Sequence, residues 1–449
     1  MYREGLLGSG SRDVTVYTSS LKDDAEIFRE TILAMMVHLN ELERLGAVPG
    51  ESAARIRGVL RRAAAEGIGG GDGYEDVHEY LEARLIEELG PEGGWVGLGR
   101  SRNDHVATAI RLRLRRLMLL LARDVAELRD ALLRRAIDLG EELMIGSTHK
   151  QPAQVTTLGH YLLGLDELSG DFLSTLLSNY CLVNKSPLGS GALAGSMVGA
   201  DRGREAGELG FVGVVENTVY ATGSRYFALS TASSVVAYLT EAGRFLNNLQ
   251  MWLMPQLSYV DVDPKHLATS SIMPHKRNPA TVEVMRARIG EAIGHLTAMY
   301  SILRPLEVGY ELDLQEATRH LWEVMGIAME STRMLADVVR GLKVNSPAVS
   351  RDLSAFPVTA AETAEKLSLE ESIPFRQAHR AVAESIKKRE FRGLDPAAVV
   401  RGKRSMGAPA TMIESARRRL EQVEKFKLAV DSMLKAVSDV EDEVLGGSG

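Results

Sequence analysis

Residues 106–132 read VATAIRLRLRRLMLLLARDVAELRDAL, and their apolar positions predict one long helix. From Val106 onward, apolar residues recur three or four positions apart, which is the spacing of one face of an α-helix. Arginines fill the flanks of this stripe, and Asn103 or Asp104 is well placed to cap the first turn. The stripe is expected to be buried in the core. Its further members are Ile110, Leu114, Leu117, Leu121, Val125, Leu128 and Leu132.

Two later segments repeat the helical pattern. Residues 281–303 predict another long helix, and a second stripe has the seven-residue repeat that faces neighbouring helices. Helices of this length need packing partners, and such apolar seams favour association with further chains. Strand-like alternation is scarce, so we predict an all-α protein around a central bundle of long helices. The second stripe consists of Ala232, Val235, Leu239, Ala242, Leu246 and Leu249.

Glycines and prolines divide the chain. Glycines crowd GPEGGWVGLGRSRND just ahead of the first long helix, and SPAVSRDLSAFPVTAAE interrupts the helical pattern after Asn345. A third such stretch, SPLGSGALAGSMVG from Ser186, is expected to turn the chain within the bundle. We therefore predict three largely helical domains, 1–105, 106–350 and 351–449.

Composition restricts the location and the partners of the protein. The 449 residues are 45% hydrophobic and 25% charged, as in globular proteins. A net charge of -7 gives no reason to expect a nucleic-acid partner. The single cysteine, Cys181, excludes an intramolecular disulfide, and no run approaches the roughly 20 apolar residues of a membrane span. The start, MYREGLLGSGSRDV, lacks the apolar core of a secretory signal, so a cytoplasmic protein without a membrane partner is expected.

The segment 269–280, TSSIMPHKRNPA, concentrates polar groups in a loop that its two prolines keep from being helical. Loop amides, Lys276 and Asn278 are suited to hold a carboxylate that gains charge during a reaction. Ser270 or Ser271 in that setting is a candidate base for a weakly acidic C–H proton, with Glu283 on the next helix. The alternative is a polar hinge loop in front of a capped helix.

Two other segments carry candidate residues. In GSTHKQPAQVTTLGHY, from Gly146, His149 could transfer protons near neutral pH if a carboxylate such as Glu283 tuned it. A structural histidine is the alternative, and it applies equally to His78 and His160. In GRSRNDHVATA, residues 99–109, cations precede a helix N-terminus that attracts anions, or they are solvated beside an N-cap.

Several classes of site are not predicted. The sequence has no HExxH, no paired cysteines and no clustered aspartates, so we expect no metal site. It has no P-loop, and its glycines do not follow a strand as dinucleotide binding requires.

SSIMPHKRNP resembles the signature loop of the fumarase/aspartase superfamily, whose members release fumarate from succinyl substrates. GRSRNDHVATAIRLRLR is similar to the matching segment of the argininosuccinate lyase family within it. EDVHEYLEARL, STHKQPAQVTTLGHY, DLQEATRHLW and IPFRQAH follow in the order of that family. PHKRNP is equally similar to adenylosuccinate lyases, which remain an alternative, as does a catalytically silent, crystallin-like tetramer.

The resemblance implies residue roles. Ser270 would take the Cβ proton of argininosuccinate, although His149 is the base in another assignment for the family, and both remain open. Lys276 and Asn278 would stabilise the resulting dianion, and His149 paired with Glu283 would serve the departing guanidinium. The remaining positions implied for substrate binding are Ser20, Asn103, Thr148, Tyr310 and Gln315.

The resemblance also implies an assembly. Four chains would form a twenty-helix core, and each active site would combine motifs from three chains. No metal or organic cofactor is implied. The sequence departs from the family in its start, LLGSGSRD, and at Tyr226, Leu312 and Thr318, where an acid, an arginine and a lysine are usual.

Overall fold

The computed structural model describes residues 11–69 and 73–446, and these are mostly helical. This confirms the predicted all-α class. Residues 1–10, which include most of the departing LLGSGSRD start and of the segment expected to lack a secretory signal, lie outside the described residues. Within the described part, no helix is long and apolar enough to cross a membrane.

The helices fall into three stretches along the chain. The first has α1 (Arg12–Thr18), α2 (Phe28–Arg44), α3 (Gly50–Glu66) and α4 (Val77–Leu89), with 3-10 turns at Asp23–Ile27 and Gly90–Gly97. The second has α5 (Arg102–Leu139), α6 (Leu158–Val183), α7 (Arg202–Glu208), α8 (Thr218–Gly223), α9 (Tyr226–Trp252), α10 (Ala280–Leu303) and α11 (Asp313–Gly341). The third has α12 (Ser346–Ala355), α13 (Ala360–Glu370), α14 (Phe375–Lys387), α15 (Pro396–Gly402) and α16 (Met412–Val444).

The described strands form three small antiparallel pairs. β1 (Leu143–Thr148) pairs with β2 (Gln151–Thr157) as a hairpin. β3 (Val260–Asp261) pairs with β6 (Lys343–Val344), and β4 (Ala268–Thr269) pairs with β5 (Arg277–Asn278). The first and the last of these pairs carry predicted site residues.

Helix α5 is the centre of the bundle and packs against α6, α11 and α16. Its predicted stripe is buried, from Ile110 at 1% exposure to Leu132 at 0%, apart from the half-buried Val106. The predicted cap was wrong. Ser101 is the N-cap, because its Oγ accepts from the Asn103 amide while the Asp104 carboxylate accepts from the Ser101 amide.

The arginines beside this stripe do not all face solvent. Arg111 is 1% exposed, donates to the carbonyl of Leu182 at 2.7 Å and lies 3.8 Å over the ring of Phe227. Arg115 is 0% exposed and donates to the carbonyl of Leu209 at 2.8 Å. Both guanidinium groups therefore bind carbonyl groups that an apolar side chain would leave without partners.

The second stripe is also buried, but its partners differ from the prediction. Residues such as Val235 and Leu249 on α9 are 0% exposed, because α6, α10 and α11 of the same chain cover them. This stripe is therefore not available to another chain. Apolar side chains exposed on α10 and α11 are instead open to a partner, and they include Val284, Ile293, Tyr300 and Met334.

The apolar clusters only partly follow the three stretches. One cluster lies among α2, α3 and α4, and a small one lies between α13 and α14. The largest joins the central helices to α16, since Val423 and Val430 lie in it. The predicted boundaries at 105 and 350 stay predictions.

Candidate active site

The first group of predicted residues gathers where the start of α11 meets the segment before α2. Gln315 donates from its side-chain amide to the carbonyl of Thr18 at 2.9 Å. Ser20, two residues further on, donates from its hydroxyl to Asp24 at 2.7 Å. One polar surface thus contains two residues that are almost 300 positions apart in the sequence.

Tyr310 belongs to the same group. Burial raises the pKa of its phenol, and the neighbouring charges are those of Arg225, Asp76, Arg102 and Asp24. The backbone before it passes very close to α8, since a Cβ on Gly223 would lie 2.4 Å from the carbonyl oxygen of Gly309. Glycine at position 223 therefore allows the approach that brings Tyr310 to this surface.

Arg102 and Asn103 open α5 at the edge of this group. Arg102 pairs with Asp76 at 2.7 Å and with Glu75 at 3.0 Å, so the cation is not simply solvated. Asn103 donates to the carbonyl of Ala192, in the glycine-rich stretch that begins at Ser186. That stretch turns the chain against the start of α5.

Sequence reasoning missed Asp24 in this group. Its carboxylate is 8% exposed and also accepts from the Val77 amide at 3.3 Å. Burial raises the pKa of Asp24 to about 7, against the opposing effect of the Ser20 hydrogen bond. The four-residue spacing from Ser20 was the available signal, but only the folded chain buries this carboxylate.

The segment 269–280 forms the second group. Strands β4 and β5 hold its ends, with Ala268 opposite Asn278 and Thr269 opposite Arg277. Ser270 follows β4 directly, and its Oγ accepts from the amides of Ile272 at 3.3 Å and Met273 at 3.2 Å. The loop is therefore a closed hairpin in which two backbone donors point at the serine oxygen.

The other predicted residues of this group lie nearby in sequence and face outward. Ser271 and Lys276 are exposed in the loop, and Asn278 is half-buried at its end. Glu283 is exposed in the first turn of α10, where the helix dipole favours a carboxylate.

The third group is the tip of the β1–β2 hairpin. Thr148 ends β1 and is opposite Gln151, so His149 and Lys150 form the two-residue turn. Both turn residues have positive φ angles, 53° and 59°, which suit a tight hairpin turn but are uncommon for side chains of this size. Thr148 and His149 are exposed.

One chain does not unite the three groups. No hydrogen bond or ion pair joins His149 to Glu283 among residues 11–69 and 73–446. The described contacts of Ser270 stay within its own loop. In the described part of the chain, the structure thus brings together Ser20, Tyr310 and Gln315, with Asn103 following Arg102 at their edge. The loop residues and the hairpin-tip residues form separate groups.

The two ambiguous histidines are both less exposed than His149. His78 is 1% exposed in the first turn of α4, and burial lowers its pKa to about 4. His160 is half-buried at the start of α6, with its Nδ1 2.8 Å from the hydroxyl of Thr156. Burial lowers the pKa of His160 as well.

Comparison with known proteins identifies the family. The model of a lyase family matches residues 11–294, which include the segments at 99–109, 146–161 and 269–280. Argininosuccinate lyase of Pyrobaculum calidifontis is 45% identical over 396 residues, which cover 88% of this chain and 92% of that protein. This chain belongs to the argininosuccinate lyase family.

Solved structures agree with this fold. A crystal structure of EDDS lyase in complex with formate matches with a TM-score of 0.82 at 25% identity, covering 94% of this chain and 92% of that chain. A class II fumarase from Schistosoma mansoni matches with a TM-score of 0.70 at 17% identity, covering 83% and 90%, which supports the fold alone. The architecture is that of the fumarase/aspartase superfamily.

The three departures from the argininosuccinate lyase pattern have different surroundings. Tyr226 and Leu312 are exposed at the starts of α9 and α11, at 58% and 53%. Thr318 is half-buried and donates to the carbonyl of Leu314 within α11. Nothing in the structure explains these substitutions.

Proposed function

We propose that this chain cleaves argininosuccinate to arginine and fumarate by β-elimination. The observation that carries the proposal is the 45% identity to an argininosuccinate lyase over 88% of the chain. In this reaction a base removes a proton from the Cβ of the succinyl part, and the bond between Cα and the guanidino nitrogen breaks. That nitrogen gains a proton as arginine leaves, and the double bond formed between Cα and Cβ completes fumarate.

Ser270 is our candidate for the base. Hydrogen bonds donated to an oxygen stabilise its charged form, and Ser270 Oγ accepts two from backbone amides of its own loop. The alkoxide would thus be favoured where the proton must be removed. His149, the other candidate, lies at an exposed hairpin tip without a described carboxylate partner in the same chain.

We assign Lys276 and Asn278 to the dianion that forms when the proton leaves. An ammonium group and a carboxamide can both donate to a carboxylate that gains charge. Both side chains are on the same small hairpin as Ser270, so closure of this loop would deliver all three together. Ile272, 83% exposed at the loop tip, would be covered by that closure.

We assign His149, paired with Glu283, to the proton that the leaving guanidino nitrogen gains. A histidine beside a carboxylate can donate a proton near neutral pH. The pairing would join two chains, because no hydrogen bond or ion pair links the two residues in the described part of one chain. Ser20, Asn103, Thr148, Tyr310 and Gln315 would hold the substrate, and Ser20 would do so beside the buried carboxyl group of Asp24.

We propose a homotetramer with active sites shared between chains. Ile293 and Tyr300 are exposed apolar residues seven positions apart on one face of α10, and they support a partner for that helix, since such residues favour protein contacts when they cluster. The separation of the three residue groups supports sites completed by other chains. We also propose a cytoplasmic location, which is compatible with a single cysteine.

The decisive experiment follows fumarate absorbance after purified protein is mixed with argininosuccinate, and separately with adenylosuccinate. We expect fumarate only from argininosuccinate. Fumarate from adenylosuccinate alone would assign the chain to the sister activity. No fumarate from either substrate, with a folded tetramer, would indicate a structural protein.

A further inference from the structure

The tip of the hairpin that carries His149 has little core packing of its own. Its inner residues Met144, Ile145 and Val155 are buried, but residues 147–152 at the tip are exposed. An irregularity interrupts the pairing between Ile145 and Ser147, so the tip lies beyond a weak point of the ladder. Contacts on the outer side of β2 must therefore contribute to its position.

These contacts come from the third stretch of helices. Lys403 donates from Nζ to the carbonyl oxygen of Val155 at 3.0 Å, and it pairs with Glu362 at 2.9 Å. The same carboxylate oxygen of Glu362 accepts from the side-chain amide of Gln154 at 2.9 Å. Two consecutive residues of β2 are thus attached to one ion pair.

The ion pair is shielded from water. Side-chain exposure is 21% for Lys403 and 9% for Glu362, and burial strengthens the attraction between the charges. Removal of either partner would leave a charge in a poorly solvated place, so the local structure would have to move. The position of β2 therefore depends on whether the ion pair between Lys403 and Glu362 is intact.

Space for such movement lies beside the pair. An open cavity of about 1190 Å³ lies between part of the hairpin and α13 and α15, although both helices also contact β2 directly. Its lining includes Ser147, Thr148, Glu362 and Lys403. The outer face of the hairpin is therefore only partly packed. The hydrogen bonds of Gln154 and Val155 therefore contribute to where the tip lies.

We propose that Lys403 and Glu362 are positioning residues that hold the His149 hairpin in its productive place. The proposal rests on the proposed function, because it gives these residues the role of positioning His149 for proton transfer. Neither residue would contact the substrate. They would act by keeping Thr148 and His149 aligned with the groups that other chains contribute.

The test compares Lys403→Met and Lys403→Arg with the control Lys366→Met. Lys366 lines the same cavity and pairs with Glu370 at 3.7 Å on its own helix, with no described contact to the hairpin. With argininosuccinate, we expect Lys403→Met to lower kcat roughly 10–100-fold with a smaller change in KM, since displaced catalytic groups lose this much. Lys403→Arg should recover part of kcat, and Lys366→Met should stay near the parent.

A double-mutant cycle tests whether Lys403 acts through His149. In a His149→Asn background the catalytic histidine is already lost, so Lys403→Met should have little further effect on kcat. A full, additive loss in that background would overturn the proposal. A kcat of Lys403→Met within twofold of the parent would overturn it as well.

Hydrogen exchange gives a readout that does not depend on activity. Amides of residues 147–155 should exchange faster in Lys403→Met and in Glu362→Gln than in Lys366→Met, while α5 stays unchanged. Unchanged exchange in the hairpin would overturn the proposal. An inactive parent protein with the expected exchange pattern would instead point to failure of the proposed function. Glu362→Gln keeps the shape of the side chain, so it serves if Lys403→Met does not fold.

Discussion

Ser270 Oγ accepts two backbone hydrogen bonds in an exposed loop, and this arrangement leads to a prediction at the scale of one residue. Ser270→Ala should lower kcat by roughly 10²–10⁴-fold, the range for a positioned proton-transfer group. Folding should be retained, because a surface loop contributes little core packing. Steady-state kinetics with argininosuccinate, supported by circular dichroism, measure both effects.

Ser271→Ala is the matched control for Ser270. Ser271 is exposed and no described backbone amide donates to its hydroxyl. Ser271→Ala should therefore lower kcat much less than Ser270→Ala does. If Ser271→Ala lowers kcat strongly and Ser270→Ala does not, the base is Ser271. Near-normal kcat in both variants would make His149 the leading candidate.

His78 supports a second residue-scale prediction, on acid stability. Burial lowers its pKa from 6.5 to about 4, so the unfolded chain binds a proton between these pH values that the folded chain does not. His78 therefore has no effect on the pH dependence of stability above pH 6.5. As the pH falls from 6.5 to about 4, it lowers the free energy of unfolding progressively. The loss amounts to on the order of 3 kcal/mol.

A neutral substitution isolates this effect. Asp24 and Glu30 have pKa values raised to about 7 by burial, and their protonation stabilises the folded chain as the pH falls. The comparison must therefore be between the parent and His78→Asn at each pH. As the pH falls from 6.5 to about 4, we expect the unfolding free energy of the variant to rise relative to that of the parent. A constant difference across this range would contradict a buried neutral histidine.

At the scale of elements, the β1–β2 hairpin combines function with local strain. Lys150 has a φ of 59°, a left-handed conformation that costs a side chain roughly 1–2 kcal/mol. Lys150→Gly should remove this cost, offset in part by chain entropy, and stabilise the fold by roughly 0.5–1 kcal/mol. Denaturant unfolding measures the change.

The neighbouring strand residue provides the control for this turn. Gln151 is exposed like Lys150 but lies in β2 as an ordinary extended residue, so Gln151→Gly should destabilise the fold slightly. If both glycine variants lower stability equally, the turn is not strained. His149 has the same left-handed backbone, which places the proposed proton donor at the hairpin tip in spite of the strain.

At the scale of the whole molecule, the separation of the residue groups predicts complementation. His149→Asn and Ser270→Ala should each retain only a small residual activity alone. If the two residues reach one site from different chains, about a quarter of the sites in randomly mixed tetramers would lack both changes. Activity should then return after the two variants are refolded together.

Light scattering on the same mixture supplies the control. It should report tetramers before and after mixing, and tagged subunits should show that the chains have exchanged. Mixed tetramers with no more activity than the separate variants would show that His149 and Ser270 act from the same chain. An active monomer would contradict the proposed assembly.

The sequence alone determined the helical class, because apolar spacing such as that from Ile110 to Leu132 follows directly from the geometry of a helix. It also determined the family, since several motifs in order are specific without any knowledge of contacts. The loop at 269–280 was recognisable for the same reason. Local pattern and motif order are properties of the chain itself.

Only the tertiary structure decided which groups are buried and what they meet. Arg111 and Arg115 flank the apolar stripe in sequence, yet in the fold they bind carbonyl groups inside the bundle. The stripe through Val235 is covered by helices of its own chain, and Asp24 acquires its raised pKa from burial that no local pattern reports. Burial and charge pairing depend on residues far apart along the chain, so they arise only when the helices pack.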